Sequence, residues 1–298
     1  MLEFHTLDVF TDAPYTGNPL AVVLGADRLT PAQMQTVARE FNLSETIFVM
    51  APRDPAHSAR VRIFLPTAEI PFAGHPTLGC AVLLAEMAKG TGDWDTTLTL
   101  EEEAGLVPVV LSRRGGSTQG RFAAPMIPGR VAGDPDKGLI AKALGLSPDQ
   151  IGRAGHAPGF YQGGPTFLIV PLADTSALAK ASPQMAHWDG LMQAGRVLGA
   201  YLHAPGAATN LEARMFAPTA GIFEDPATGA ATAILAAQLR DAGLLADGDT
   251  TFSLRQGAQM GRPSLLSLRV TARAGAITRV EVGGSAVRIS EGRLTPPS

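Results

Sequence analysis

The chain has 298 residues, of which 45% are hydrophobic, and a formal net charge of −3. This composition predicts a soluble, globular protein and gives no electrostatic reason to expect nucleic acid or an anionic membrane as a partner. The apolar segments are too short to span a bilayer, the N-terminus lacks the pattern of a secretion signal, and one cysteine, Cys80, permits no internal disulfide. We therefore expect a cytoplasmic protein.

In chain order, the first predicted elements are strands separated by one surface helix. Segments rich in Val, Ile and Phe and bounded by Gly, Pro or Asp predict strands at 2–10, 20–24, 46–50 and 59–65. Thr30, Pro31 and Gln33 form a capping-box pattern with proline at the first helical position, and apolar residues follow at helical spacing. This pattern predicts an amphipathic helix that packs on a sheet.

The later elements follow a similar order. A further helix is predicted at 185–198, and further strands at 98–100, 107–111, 121–124, 167–172, 250–255, 265–272, 278–282 and 286–289. A segment dense in Gly and Pro, 125–136, predicts a domain boundary. We therefore expect domains at 1–127 and 128–298, and the sequence leaves open whether the last strand returns to the first domain.

Two segments of the chain repeat one motif. RIFLPTAEIPFAGHPTLGCA (62–81) and RMFAPTAGIFEDPATGAA (214–231) align with a gap of two residues and match, among others, an arginine, a phenylalanine and a Pro-Thr-Ala run. The alignment places His75 opposite Asp225, each followed by a proline and an apolar helix. The repeat predicts a duplicated domain, in which each copy contributes one polar residue and one helix start to a shared cleft.

The two motif helices are unusually apolar. The segment 78–88 (LGCAVLLAEMA) contains one charged residue, and 228–239 (TGAATAILAAQL) contains none. A helix that is apolar on every side must be enclosed on every side, and the strands of its own domain are the available enclosure. We therefore expect an α+β fold of two pseudo-symmetric domains, each a curved, mostly antiparallel sheet around a central apolar helix.

The helix starts are the first candidate site. His75 and Asp225 are predicted at the cap positions, with a proline in the first turn, and the unpaired N–H groups that follow would bind a carboxylate or phosphate. The alternative is plain capping, for which aspartate is a favoured residue. Histidine is a poor cap, and the same place is polar in both copies, which favours a binding site.

Glu45 is the second candidate. It follows the surface helix and precedes Ile47, Phe48 and Val49, so its carboxylate is expected at the mouth of an apolar core, where it would suit a general base. The alternative is a solvated residue at the end of a strand. Motifs for a nucleophilic serine, a phosphate loop, a dinucleotide fold and a zinc protease are missing from the sequence, and the six histidines show no metal-ligand spacing. The residues therefore predict proton transfer without a cofactor or metal.

Five segments in chain order resemble the phenazine-biosynthesis PhzF-like family. They are DVFTDAPYTGNPLAVV (8–23), FNLSETIFV (41–49), RIFLPTAEIPFAGHPTLG (62–79), FEDPATGAA (223–231) and RQGAQMGRPS (255–264). The resemblance extends from residue 8 to about residue 292. It implies a diaminopimelate-epimerase-like fold of two pseudo-symmetric domains, often in a homodimer, with an isomerase site between the domains.

The resemblance also implies roles for individual residues. The family's catalytic glutamate falls on Glu45, and its supporting histidine and aspartate fall on His75 and Asp225. Glu45 would take a proton from carbon in an unsaturated substrate and return it elsewhere on the same face, in a cofactor-independent isomerisation of a small carboxylate-bearing metabolite. Backbone groups at the two helix starts would bind that carboxylate. The expected substrate-binding residues are Gly74, Thr77, Gly79, Thr228, Gly229, Ala230 and Ala231.

Ala230 departs from the family pattern, because serine is common at this position. The missing hydroxyl leaves the substrate open and favours one alternative, a non-catalytic metabolite-binding protein with an inherited cleft. A second alternative is an amino-acid epimerase or racemase on the same fold. Such enzymes have a cysteine on each domain, whereas this chain has His75 and Asp225 at those positions and a single cysteine.

Overall fold

The computed structural model describes residues 1–153 and 155–297 and contains two units. The first unit comprises Met1–Ala123 together with the segment from Gly283 onward, and the second comprises Ala124–Val282. In the described part of the chain, no helix is long and apolar enough to cross a membrane.

The first unit consists of strands with two helices. Its elements are β1 (Leu2–Val9), β2 (Asn18–Val23), α1 (Pro31–Phe41), β3 (Glu45–Met50), β4 (Ala59–Phe64), β5 (Glu69–Ile70), α2 (Gly74–Lys89), β6 (Trp94–Glu102), β7 (Gly105–Arg114) and β8 (Ser117–Ala123). The predicted capping box is present at the start of α1, where Thr30 and Gln33 each accept a hydrogen bond from the other's backbone N–H.

The second unit has the same kinds of element and two more helices. Its elements are β9 (Gly129–Arg130), α3 (Lys137–Leu144), β10 (Gly159–Gln162), β11 (Thr166–Pro171), α4 (Thr175–Lys180), α5 (Met185–Gly195), β12 (Gly199–Pro205), β13 (Leu211–Ala217), β14 (Ile222–Asp225), α6 (Gly229–Asp241), β15 (Gly248–Gln256), β16 (Ser264–Arg273) and the beginning of β17 (Ala276–Leu294). The two strands predicted at 278–282 and 286–289 are one continuous strand, β17, because the small residues between them stay extended.

Both units arrange their strands in the same order. In the first unit, β1 pairs antiparallel with β2, β2 parallel with β3, β3 antiparallel with β4, β4 parallel with β6, and β6 antiparallel with β7. In the second, the same alternation joins β10, β11, β12, β13, β15 and β16. The duplication that the repeated motif predicts is therefore present in the topology.

Each parallel pair needs a crossover connection, and the crossovers formed by α1, α4 and α5 cover the outer faces of the sheets. In the first unit α1 joins β2 to β3, and its buried residues pack with Phe48 and Phe64. In the second unit α4 and α5 join β11 to β12, and the fully buried Trp188 of α5 lies in a larger cluster that also contains Phe216. The additional helices therefore explain why the apolar cluster on the outer face is larger in the second unit than in the first.

The motif helices lie on the inner side of the strands, as their composition predicts. Every residue of α2 from Gly74 to Leu83 is buried, and the helix contacts β1, β2, β3, β6, β7 and β8. Residues 231–239 of α6 are likewise buried against strands of the second unit. α2 approaches the strands closely at Gly79, where a Cβ would lie 2.6 Å from a side-chain atom of Leu20 and 2.7 Å from one of Val9, so a larger residue would displace these side chains.

Candidate active site

Glu45 and His75 contact each other at one end of strand β3 in the first unit. Glu45 is the first residue of β3, and His75 lies in the first turn of α2. The Nδ1 atom of His75 lies 3.2 Å from Oε2 of Glu45, and the side chains are 3% and 13% exposed, respectively. The two residues that the sequence singles out for different reasons, 30 positions apart, therefore form one contact at a nearly buried position.

His75 is neutral at physiological pH in this environment. Burial lowers the pKa of its imidazole to about 3, against the opposite effect of the Pro19 backbone. A neutral imidazole has one donor and one acceptor nitrogen, so His75 places a polar but uncharged group beside the Glu45 carboxylate. The other ring nitrogen, Nε2, is buried and has no hydrogen-bond partner among the described residues.

The start of α2 differs from the prediction. Ala73 is the N-cap residue and has an extended backbone, so His75, the predicted cap, lies inside the first turn, two residues after the observed cap. The backbone N–H of Thr77 closes the first turn on the Ala73 carbonyl at 3.3 Å. Because Pro76 has no N–H, the backbone donors of this turn that lack an acceptor within the helix are those of Gly74 and His75.

Asp225 does not cap α6 either. It is the last residue of β14 and pairs with Met215, so the strand keeps it out of the helix; Thr228 is the N-cap and Gly229 begins α6. The hydroxyl of Thr228 donates to Oδ2 of Asp225 at 2.5 Å, and Asp225 is 8% exposed. The aspartate is thus held beside the helix start rather than at its cap.

Gln256, at the end of β15, supports this arrangement and is a residue that the sequence analysis misses. Its Nε2 donates to the Asp225 carbonyl at 2.8 Å and to Oγ1 of Thr228 at 3.0 Å, and its Oε1 accepts from the Thr228 N–H at 3.2 Å. Gln256 is fully buried. It lies in the motif at 255–264, but nothing in that motif alone connects it to a helix start 28 residues earlier.

Glu102, at the end of β6, is the second missed residue. Its Oε1 lies 2.6 Å from Oγ1 of Thr77, whose hydroxyl also lies 2.7 Å from the Ala73 carbonyl. Burial raises the pKa of Glu102 to about 8, with Thr77 acting in the opposite direction. The signal available in the sequence is the position of Glu102 and Gln256, since each ends the strand that follows a motif helix.

The strand register identifies the position in the second unit that corresponds to Glu45. Thr46 pairs with Phe64 in the first unit, and Ala200 pairs with Phe216 in the second, where Phe64 and Phe216 are matched residues of the repeat. The equivalent of Glu45 is therefore Gly199. A Cβ at Gly199 would lie 2.4 Å from the Phe216 carbonyl oxygen, so this position cannot hold a side chain without displacement of the backbone.

The predicted substrate-binding residues occupy the two helix starts, and their roles stay predictions. Ala230 is partly exposed in the first turn of α6, and Ala231 is buried. The side chain of Thr77 is buried and engaged within its own unit, so the backbone is what this residue can offer a ligand. Across residues 1–153 and 155–297, no cluster of three or more His, Cys, Asp or Glu side chains is placed to hold a metal ion.

Comparisons with known proteins give one consistent result. The profile of a family described as phenazine biosynthesis-like protein matches residues 7–292. An uncharacterized isomerase from Mesorhizobium japonicum is 36% identical over 300 residues, covering 96% of each chain. The trans-2,3-dihydro-3-hydroxyanthranilate isomerase of Pseudomonas chlororaphis is 36% identical over 299 residues, covering 99% of each chain.

The fold also matches that of solved structures. The structure of a predicted epimerase from Pseudomonas aeruginosa superposes with a TM-score of 0.83 at 33% sequence identity, with full coverage of both chains. The α+β fold class and the resemblance drawn from five motifs are thereby confirmed. The matches extend over nearly the whole chain, so both units and all the site residues above lie within the matched region.

Proposed function

We propose a single-base proton transfer for this chain, which belongs to the phenazine biosynthesis-like (PhzF) family and is an isomerase. Its substrate is a small, unsaturated metabolite that bears a carboxylate. Glu45 is the base that removes a proton from carbon, and the same residue returns the proton at another carbon. The observation that carries this proposal is the carboxylate of Glu45 held 3.2 Å from the buried, neutral His75.

The steps balance without an external reagent. The Glu45 carboxylate accepts a proton from an sp³ carbon, and the electron pair of the broken C–H bond moves into the adjacent unsaturated system. The neutral Glu45 carboxylic acid then donates that proton to a different carbon of the same system. One C–H bond breaks and another forms, and the substrate is neither oxidised nor reduced, which fits a cofactor-independent isomerase.

The surroundings of Glu45 suit both steps. A carboxylate with little exposure is poorly solvated, which favours proton uptake from carbon over retention of the charge. The neutral imidazole of His75 adds no positive charge beside Glu45 that would favour the ionised carboxylate over the carboxylic acid. In this proposal the backbone donors of Gly74 and His75 bind a substrate oxygen, and Asp225 with Thr228 is the second unit's candidate for binding a polar group.

A two-base racemase is less well supported by the same geometry. The single cysteine, Cys80, is buried within α2, and burial raises the pKa of its thiol, so it does not form a thiolate base near neutral pH. The position equivalent to Glu45 in the second unit is Gly199. Racemisation of a free amino acid by the purified protein would favour this alternative over the single-base proposal.

A non-catalytic binding protein is the other alternative, and the observation in its favour is Ala230 in place of the common serine. Deuterium exchange separates the two. The protein is incubated in D2O with trans-2,3-dihydro-3-hydroxyanthranilate, which is the compound in the name of its Pseudomonas chlororaphis relative. The same incubation is made with a panel of other unsaturated carboxylates. We expect solvent deuterium in the product. Binding of these carboxylates, measured by calorimetry, with no exchange in any of them would support the binding alternative.

Glu45→Gln tests the identity of the base. This variant keeps the shape of the side chain but cannot accept a proton from carbon, and we expect turnover to fall by about 10²–10⁴-fold. Glu40→Gln, on the exposed face of α1, is the matched control and should retain wild-type turnover. Full activity in Glu45→Gln with an unchanged circular dichroism spectrum would rule out Glu45 as the base.

Two predictions from the sequence remain to be tested separately. A crystal structure with a bound carboxylate tests whether both helix starts bind the same ligand. Sedimentation velocity tests the homodimer that the family resemblance implies.

A further inference from the structure

We propose that Glu102 is a neutral carboxylic acid that positions the start of α2, and through it His75, as the counterpart of Gln256 in the second unit. Nothing in the family assignment identifies either residue. The proposal concerns the geometry of the first unit, and only its effect on turnover rests on the proposed function.

The strand pairing establishes the equivalence of the two residues. In the first unit Arg60 of β4 pairs with Glu101 of β6, and in the second Glu212 of β13 pairs with Arg255 of β15, both in parallel register. Arg60 and Glu212 are separated by the same 152 positions as the matched arginines of the repeat, Arg62 and Arg214. The residues that follow the paired positions, Glu102 and Gln256, therefore occupy the same place in each unit.

At both places a threonine hydroxyl contacts the residue that ends the strand and one further oxygen atom. In the second unit the amide N–H of Gln256 donates to the hydroxyl of Thr228, which donates in turn to the Asp225 carboxylate. In the first unit the hydroxyl of Thr77 lies between two oxygens, Oε1 of Glu102 and the Ala73 carbonyl. These two contacts need two protons, and a hydroxyl supplies only one.

The second proton must come from Glu102. A backbone carbonyl only accepts, so Thr77 donates to Ala73, and the contact of 2.6 Å with Glu102 is satisfied when the carboxylic acid donates to Thr77. A carboxylate at this place would leave two acceptor oxygens facing each other across a single proton. The protonated acid is thus the analogue of the Gln256 amide, since each is neutral and each donates to a threonine hydroxyl.

The groups that face Glu102 do not favour its ionised form. From α2 it faces Thr77 and the buried Cys80 thiol, and Gly105 of β7 pairs with it. The arginines of β4 are directed to other acids, with Arg62 bonded to Glu69 and Arg60 3.9 Å from Glu103. Glu102 is 8% exposed, and its Oε2 is buried with no hydrogen-bond partner among the described residues.

The consequence is that turnover depends on pH in the alkaline range. When Glu102 loses its proton, the donor to Thr77 is lost and a charge is left in a buried place, so the first turn of α2 has to move. His75 lies in that turn, and its contact with Glu45 changes with it. Turnover should therefore fall as pH rises above about 8, the pKa of Glu102.

Reciprocal substitutions test this inference. Glu102→Leu removes the donor and should lower turnover, while Glu102→Gln restores a neutral donor and should recover turnover to within about threefold of wild type at pH 7. The wild type should lose activity by about tenfold for each pH unit above the pKa of Glu102, and Glu102→Gln should lack this decline. Gln256→Glu, which places an ionisable group in the second unit, should steepen the decline or begin it at a lower pH.

The matched control is Glu101→Gln, one residue earlier in β6. The Glu101 carboxylate accepts from the backbone N–H groups of Arg53 and Asp54 and contacts His57, so it is already ionised and its replacement should leave the alkaline decline in place. A structural defect alone would lower activity at every pH, whereas the proposal predicts a change in the shape of the profile. An alkaline decline in Glu102→Gln that matches the wild type would overturn the proposal.

A second measurement does not depend on turnover. Infrared spectra at pH 7 should contain the C=O band of a protonated carboxylic acid that shifts on deuteration, disappears on titration above pH 9 and is missing in Glu102→Gln. The same spectrum in wild type and variant would also overturn the proposal. If the band behaves as expected and no carboxylate substrate exchanges protons, the proposed function fails while the assignment of Glu102 stands.

Discussion

The two units share one scaffold and differ at the positions of the candidate site residues. Both have the same order of strands, an enclosed apolar helix after the fifth strand, and a matched arginine that stacks on a phenylalanine, Arg62 on Phe64 and Arg214 on Phe216. The first unit adds Glu45, where the second has Gly199. A duplicated scaffold can therefore keep its packing while this position holds a carboxylate in one copy and a glycine in the other.

The helix starts show the same division. The first unit has His75 inside the turn, braced by Glu102, and the second has Asp225 before the turn, braced by Gln256. Glu102 and Gln256 end equivalent strands, β6 and β15, and each contacts a threonine hydroxyl. The difference teaches that the braces are a property of the scaffold, whereas the residue that each brace supports is specific to its unit.

The largest stability difference between the units is expected at the matched arginines. Arg214 is 9% exposed, forms two bonds of 2.8 Å with Glu224, and donates to the carbonyls of Leu178 and Ala181. Arg214→Met leaves the Glu224 carboxylate, which is only 10% exposed, without its partner and should lower the free energy of unfolding by about 3 kcal/mol. Urea unfolding followed by circular dichroism measures this change.

Arg62→Met is the matched substitution in the first unit. Its partner, Glu69, is 30% exposed, so water screens the pair and the expected loss is about 1 kcal/mol. Equal losses in the two variants would show that burial does not distinguish the two ion pairs.

The next largest effect tests why the second unit has a glycine at the position that corresponds to Glu45. Gly199→Ala forces a Cβ against the Phe216 carbonyl and should cost about 1–3 kcal/mol of unfolding free energy. Glu45→Ala should cost less than about 1 kcal/mol, because its side chain lies at an edge of the core. Wild-type stability in Gly199→Ala would mean that the backbone there accommodates side chains and that the glycine reflects another constraint.

Low pH should destabilise both units, because each contains a buried histidine. Burial lowers the pKa of His75 in the first unit and of His203 in the second to about 3. Each stays neutral in the folded state while the unfolded chain gains a proton below its usual pKa of 6.5, so stability falls as pH decreases from about 6.5 toward 3. At pH 5 we expect a loss of about 2 kcal/mol for each histidine.

His203→Gln should remove the second unit's share of this acid sensitivity. His187→Gln, at an exposed position of α5, is the control and should leave the pH dependence of the unfolding free energy unchanged. The measurement is urea unfolding at pH 5 and pH 8. An identical loss between these pH values in wild type and His203→Gln would contradict the assigned role of His203.

The smallest effect is expected at two surface ion pairs, one beside the parallel strands β4 and β6 and one between the parallel strands β13 and β15. Arg60 lies 3.9 Å from Glu103 in the first unit, and Arg255 lies 3.7 Å from Glu212 in the second. These pairs are long and partly exposed, so Arg60→Ala and Arg255→Ala should each change the free energy of unfolding by less than about 0.5 kcal/mol. A larger change in one variant would reveal a structural difference between the units that the strand pairing does not show.

The sequence by itself determined the features that are encoded locally or by repetition. Matched residues such as Arg62 and Arg214 revealed the duplication, and two apolar segments predicted helices enclosed by strands, because hydrophobicity at every position of a helix leaves no face for water. The sequence also indicated three candidate site residues, Glu45, His75 and Asp225, because each lies in a short, distinctive motif.

The tertiary structure decided the features that depend on register between distant strands. The contact of Glu45 with His75 and the contacts of Glu102 and Gln256 at the helix starts all depend on how distant strands and helices pack together. A strand end such as Glu102 reads in sequence as an exposed acid, and only burial against Thr77 makes it a neutral donor. Local patterns specify elements, whereas the pairing of those elements specifies the protonation and the partners of the side chains at the site.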